Sequence, residues 1–297
     1  MTLTLKQLSG NTYYIPGPVN IGVVINADVC LVIDTGLDKK SGKQILRCLQ
    51  QAGLQVKAII NTHSHADHCG GNHPLRQAGA IICTSQLEKA LIENTKLEPF
   101  YLFSAAPIEE LESRFLMAPP SPVERVLDAG HCNLFGINLE ILDLAGHSPG
   151  QIGVLTEDGV CFCGDAYVGE TILQKYSMPY TADVSTALQT LQKLQQSDYK
   201  YYVPAHGQAV GSAVQIIAQN IAAYEQTLSQ ILSFINHEAL PREEILARYI
   251  TAHGRRFDAI QYVLYLSTIT ACLSHLHKTK QAAYSFANGR MLWYANK

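Results

Sequence analysis

Thr62-His63-Ser64-His65-Ala66-Asp67-His68 runs straight out of residues 56–61, a short apolar stretch that reads as a strand. Three histidines and a carboxylate fall within six residues, although histidine makes up only 11 of the 297 residues. Borderline-soft imidazole nitrogen and hard carboxylate oxygen together form a mixture that divalent zinc accepts. On a loop after a strand, alternate side chains turn one way and their neighbours another, so one segment can feed two adjacent metal positions. Four donors do not complete two such positions, and further ligands must come from elsewhere in the chain.

Candidates stand at the ends of other apolar runs. Leu142-Asp143-Leu144-Ala145-Gly146-His147-Ser148-Pro149-Gly150 puts His147 in a Gly-rich turn. Val160-Cys161-Phe162-Cys163-Gly164-Asp165 puts Asp165 just past a strand, and Tyr202-Val203-Pro204-Ala205-His206-Gly207 does the same for His206. Taken singly each is an ordinary loop residue, but in order with the first cluster they agree in context. Strands are predicted over 19–25, 29–33, 56–61, 80–84, 139–144, 152–156, 160–163 and 201–204, the first two joined as a hairpin by Asn26-Ala27-Asp28. Helical spacing marks 41–53 and 183–196, and the alternation predicts an α/β sandwich. Residues 96–125, with five prolines and four aromatics, break the rhythm; they fit a cap over a cleft or an insertion packed on the surface.

The ordered set Thr-His-Ser-His-Ala-Asp-His, Gly-His-Ser-Pro-Gly, Cys-Gly-Asp and Pro-Ala-His-Gly resembles the metallo-β-lactamase superfamily over roughly residues 10–212. Ala145 and Ala205 stand where proline and glycine are usual, and Cys163 where serine is common; none of these removes a ligand. The resemblance implies a four-layer αββα sandwich (the metallo-β-lactamase fold) over 1–212. It also implies one metal on His63, His65 and His147 and a second on Asp67, His68 and His206, with Asp165 bridging. Asp67 and Asp165 are then the catalytic carboxylates. A bridging carboxylate and hydroxide would offset the repulsion between two cations, and metal binding lowers the pKa of water to about 7. Two divalent ions are expected, zinc first, with iron or manganese also suited to these donors. Asp34, in Asp34-Thr35-Gly36, is expected to orient a ligand or to cap its turn. Cys69, Cys161 and Cys163 read as small core thiols, and His73 and His131 as structural.

From about residue 214 the texture turns helical. Residues 214–236 and 259–277 have amphipathic or apolar spacing, and Pro241 opens a further helix. Asn288-Gly289 between two aromatic runs predicts a type I′ hairpin. Helices followed by a ribbon make a small winged-helix-like domain over 213–297, similar to the tail of the hydrolases grouped as β-lactamase-like protein 2, whose best-known activity is single-stranded RNA cleavage. Residues 1–213 carry 14 basic and 20 acidic groups, and 214–297 carry 8 and 5, so the tail is mildly basic. No Lys/Arg run exceeds Arg255-Arg256, however, and phosphate binders cluster more charge. The tail reads as packing on the catalytic part, as a homodimer contact, or as an RNA reader. His237, His253, His275 and His277 lie in it, outside the expected chemistry.

Composition sets outer limits. The chain is 47% hydrophobic and 16% charged, with net charge −3, which excludes a disordered or fibrous protein and any global basic field. Eight cysteines without a secretion signal read as reduced thiols, which places the protein in the cytoplasm. The uncharged stretch after Asp258 is broken by polar residues and reads as a buried helix with no membrane partner. Of Tyr167, Lys175, Tyr176 and Tyr180, which follow Asp165, one is expected to reach the cleft. The leading expectation is a dinuclear metal-dependent hydrolase using a metal-bridging hydroxide on a small ester, thioester or related carbonyl substrate. A metal-dependent endoribonuclease and a non-catalytic nucleic-acid-binding module are the alternatives. Glyoxalase II also has a helical tail, but its basic glutathione-binding signature is not evident here. A diiron electron-transfer role lacks the flavin domain that should follow, and without an export signal true β-lactamase activity is not expected.

Overall fold

The computed structural model describes residues 3–176, 179–254 and 258–296; the Arg255-Arg256 pair lies outside them. Seven strands pair in chain order as one sheet: β1 (Lys6–Ser9), β2 (Thr12–Ile15), β3 (Ile21–Asn26), β4 (Val29–Ile33), β5 (Gln55–Ile60), β6 (Ile81–Thr84) and β7 (Arg125–Val126). The first four are antiparallel, and pairing turns parallel from β4 onward. A second sheet holds β8 (Gly130–Leu134), β9 (Ile137–Asp143), β10 (Ile152–Thr156), β11 (Val160–Gly164) and β12 (Tyr201–Pro204), again in chain order. The hairpin expected around Asn26-Ala27-Asp28 forms, with Ala27 at φ 56° in its turn.

Alternation along these strands makes the layers. On β4, Cys30 and Val32 face α1 (Lys39–Gln51), while Leu31 and Ile33 face the other sheet. Along β11, Val160 and Phe162 join the inter-sheet core, and Cys161 and Cys163 point outward to Leu191 and Leu194. Those leucines belong to a helix over Val184–Gln196. The result is helix, sheet, sheet, helix, as the sequence predicts. All eight cysteines are free. Not foreseen were β1, β2, β7 and β8, the helices α2 (Ala66–Cys69), α3 (Asn72–Gln77), α4 (Gln86–Glu93) and α5 (Leu97–Phe103), and the short helix over Glu170–Lys175. These are short elements whose period is too brief to read.

α6 (Glu170–Lys175) and α7 (Val184–Gln196) lead into β12, and α8 (Val214–Ile235), α9 (Arg242–Ala252) and α10 (Ala259–Lys278) follow it. Asp38, Asp183 and Asp258 cap α1, α7 and α10 by accepting from backbone N–H groups of the first turn. The chain then forms the predicted hairpin of β13 (Ala282–Ala287) and β14 (Arg290–Ala295), with Asn288 at φ 50° and Gly289 at φ 72°. The helical tail does not keep its core to itself. Val184 of α7 is buried with Ile231, Leu246, Tyr249, Cys272 and Trp293, so one cluster crosses the boundary expected at 212/213.

α10 is long and apolar enough to cross a membrane by length and composition alone. In the fold it packs against α7, α8, α9 and β13 on one side and against the 96–125 insertion on the other. There Leu102, Leu111 and Leu116 close around Val263. The insertion is therefore a wall fixed to the tail.

Candidate metal centre

The donors meet at the strand ends. β5 ends at Ile60, the chain bends at Thr62 and His63 and then enters the one-turn helix α2, so Asp67 and His68 leave from a helix rather than a loop. β9 ends before the turn that carries His147, β11 before Asp165, and β12 before His206. Glycine is required at two of these turns. Gly146 has φ 132°, and a Cβ there would lie 2.5 Å from Ala187 backbone atoms; Gly164 has φ 53° and packs on Thr62.

His63 Nε2 and His147 Nε2 lie 3.0 and 2.9 Å from His65 Nδ1. Asp165 Oδ2 lies 3.5 Å from His147 Nε2 and 3.6 Å from both His68 Nε2 and His206 Nε2. Asp67 Oδ2 is 3.1 Å from His206 Nε2. All seven positions singled out in the sequence are thus brought together. They form overlapping three-donor groups: His63, His65 and His147; His63, His68 and Asp165; and Asp67, His68 and His206.

The outer nitrogens fix the inner ones. His68 Nδ1 donates to Asp34 Oδ2 at 2.8 Å, His147 Nδ1 to the Tyr180 carbonyl at 2.9 Å, and His206 Nδ1 to the Pro18 carbonyl at 2.7 Å. A carboxylate or carbonyl can only accept, so each Nδ1 carries hydrogen and each Nε2 is the ring nitrogen that faces inward. Asp34 also accepts from Thr62 N–H and Oγ1, both at 2.8 Å. It therefore orients a donor and holds the turn at once, from a left-handed backbone (φ 62°) that aspartate tolerates. Inside, His68 Nε2 and Asp165 Oδ1 are buried without a hydrogen-bond partner.

Electrostatically the cluster has two halves. Burial, with neighbouring imidazoles, pushes His63 well below the usual histidine range and His65 down to about 3; burial also lowers His147. In the other half burial again opposes charge, but the carboxylates win. Asp34, Asp165 and Asp67 carry His68 well up, and Asp165 and Asp67 carry His206 to about 9. The same pairings outweigh burial on the acids, taking Asp67 down to about 2 and Asp165 well below the carboxylate range. Buried, inward-facing imidazole nitrogens beside two ionised carboxylates, which hold positive charge on His68 and His206, fit divalent cations.

Two acids escaped the sequence reading. Glu88 of α4 is fully buried and accepts from Ser64 N–H (2.8 Å), Ser148 Oγ (2.6 Å) and Gly150 N–H (2.8 Å), tying the His63–His68 segment to the His147 turn. Nothing in Gln86-Leu-Glu-Lys marks its burial. Glu98 of α5 lies with Oε1 3.8 Å from His65 Nε2, and burial, with Glu88 and Asp67 nearby, pushes its carboxyl well above the usual range. Its position as the one charge in the apolar run Leu97–Phe103 was a readable signal.

Of the four side chains following Asp165, three line the adjoining cavity: Lys175, Tyr176 and Tyr180. Tyr167 is instead buried beside Cys161 and Cys163. Burial pushes the Tyr180 phenol up to about 12, so it stays a neutral donor, 3.4 Å from the Tyr101 hydroxyl. Cys69 donates to the Ser64 carbonyl and takes no place in the donor groups. His73 and His131 are exposed; His275 pairs with Ser185, and His277 donates to the Ala282 carbonyl.

A sandwich of two sheets that gathers such donors at its strand ends makes a candidate metal centre. The chain belongs to the metallo-beta-lactamase superfamily, whose family profile matches residues 14–206; membership implies divalent metal ions. Among solved structures, a metallo-beta-lactamase family protein from Thermus thermophilus superimposes with a TM-score of 0.73 at 18% identity, covering 99% of both chains. A beta-lactamase domain protein from Burkholderia ambifaria gives 0.74 at 17% identity, covering 98% of this chain and 93% of that one. Both share the fold through the tail. The chain is 28% identical over 139 residues to a hydroxyacylglutathione hydrolase of Albidiferax ferrireducens, covering 46% of this chain and 42% of that protein. It is 27% identical over 146 residues to the probable metallo-hydrolase YqgX of Bacillus subtilis, covering 48% and 63%. The chain spans about half the length of the curated relatives it matches.

Proposed function

We propose that the protein is a dinuclear metal-dependent hydrolase of small esters or thioesters, with zinc as the first expectation. His63, His65 and His147 would hold one ion, Asp67, His68 and His206 the other, and Asp165 both. The observation that carries this reading is the set of outward Nδ1–H bonds that leaves three Nε2 atoms facing Asp165. Bound there, the ions would supply Lewis acidity and a water acidic enough to act as nucleophile near neutral pH. The chain itself holds the donors in register, offsets cationic charge with Asp67 and Asp165, and places the neutral Tyr180 hydroxyl at the cavity wall. Relatives named for hydrolysis of hydroxyacylglutathione support a thioester as one substrate type. Among the described lining residues, Lys175 is the only lysine or arginine, beside Asp67, Glu98, Asp165 and Asp258. That balance favours a small carbonyl substrate over a polyanion such as RNA.

Elemental analysis of the purified protein tests the centre. About two divalent ions per chain are expected, falling in His63→Ala with loss of ester and thioester hydrolysis. Metal-free wild type, or an unchanged metal content in the variant, would sink the assignment. Asp34→Ala should weaken metal binding by about 10–100-fold in a chelator competition, because His68 loses the partner that aims its Nε2. Unchanged affinity would reduce Asp34 to a turn cap.

A further inference from the structure

The cavity in front of the donors encloses about 490 Å³, within the range that seats a small organic molecule. It is ionisable where it meets His65, Asp67, His147 and Asp165; on the facing walls apolar surface predominates, with Lys175, Gln261 and Thr268 among it. Val168 and Ile172 line it near α6, Phe115 and Leu116 come from the insertion, and Ile260 and Leu264 from α10. Leu116 and Val168 are buried, whereas Phe115 is 57% exposed, so its ring at the cavity has surface still to cover. An adjoining depression of about 270 Å³, sharing Asp258, continues the apolar surface along Phe103, Ile108 and Tyr262. Water against such walls is displaced favourably by an apolar group.

We propose that the protein acts on esters or thioesters of medium-chain apolar carboxylic acids. The acyl chain lies between α10 and the insertion, which makes α10 the element that sets acyl specificity. This rests on the hydrolase reading above and adds the acyl class to it. In the reaction the oxygen of water bonds to the acyl carbon, the C–O or C–S bond breaks, and the proton goes to the departing alcohol or thiol.

The test uses the full-length, metal-replete protein and para-nitrophenyl acetate, butanoate, hexanoate and octanoate, with acetyl and octanoyl thioesters of one common thiol. kcat/KM is expected to rise about fourfold per methylene until the walls are covered. Leu264→Trp, which fills the apolar side, should cut the octanoyl-to-acetyl ratio by about tenfold, and Ile260→Ser should lower it too. Calorimetry supplies a readout independent of turnover: metal-replete wild type should bind octanoate more tightly than acetate, and Leu264→Trp should lose that difference. Hydrolysis with a flat or falling chain-length profile, or a hydroxyacyl thioester preferred over octanoyl, overturns the acyl assignment and leaves the hydrolase reading standing. No hydrolysis of any ester or thioester by protein that has its metal overturns both.

Discussion

Asp165→Asn is expected to lower kcat by on the order of a thousandfold while the protein stays folded. Asp165 Oδ2 sits 3.5–3.6 Å from three inward histidine nitrogens, and Oδ1 is buried without a partner. Asparagine keeps the shape but removes the charge that offsets cations in both halves of the centre. It also turns an N–H₂ donor, which cannot act as a ligand, toward one half. Metal content should fall, with the loss shared between the two positions if Asp165 serves both. Steady-state rates with metal analysis on the same preparation check this. Near-normal turnover at full metal content would show that the carboxylate is not shared.

Glu88→Ala should be the most damaging substitution that touches none of the seven donors. It would strand three hydrogen-bond donors, at buried Ser64 and Ser148 and at partly buried Gly150. Each orphaned donor costs about 1–3 kcal/mol, so a loss of roughly 3–5 kcal/mol and a fall in Tm of roughly 10 °C are expected. Glu88→Gln should recover only part of this, because its N–H₂ group must face one N–H or O–H donor. Thermal unfolding of both variants decides the matter, and a glutamine variant as stable as wild type would remove the case for the carboxylate. Metal affinity should fall alongside stability, since Glu88 links the segment that carries His63 and His65 to the turn that carries His147.

Much of this was legible because the donors are local in sequence. His63, His65, Asp67 and His68 announce themselves by density, and His147, Asp165 and His206 by standing in polar turns at the ends of apolar runs. The long helices were legible by period and apolar texture: 183–196 against Val184–Gln196, 214–236 against Val214–Ile235, 259–277 against Ala259–Lys278. The terminal hairpin was legible by Asn288-Gly289. Short elements were not, and α2 shows why. A single helical turn has no period to detect, yet it decides from where Asp67 and His68 leave the backbone. The choice between cap and surface insertion for 96–125 was equally beyond sequence, because it depends on Val263, far along the chain, burying Leu102, Leu111 and Leu116.

The sequence by itself determined the donor set, the α/β layering and the order of the helical tail, since each follows from residue type and spacing along a few consecutive positions. Only the tertiary structure decided that Asp34 aims His68, that Glu88 and Glu98 are buried beside the ligand segments, and that α10 walls the cavity. Those facts depend on which distant segments share a dry interior. There the cost of an unpaired polar group and the gain from covered apolar surface settle positions that spacing along the chain does not encode.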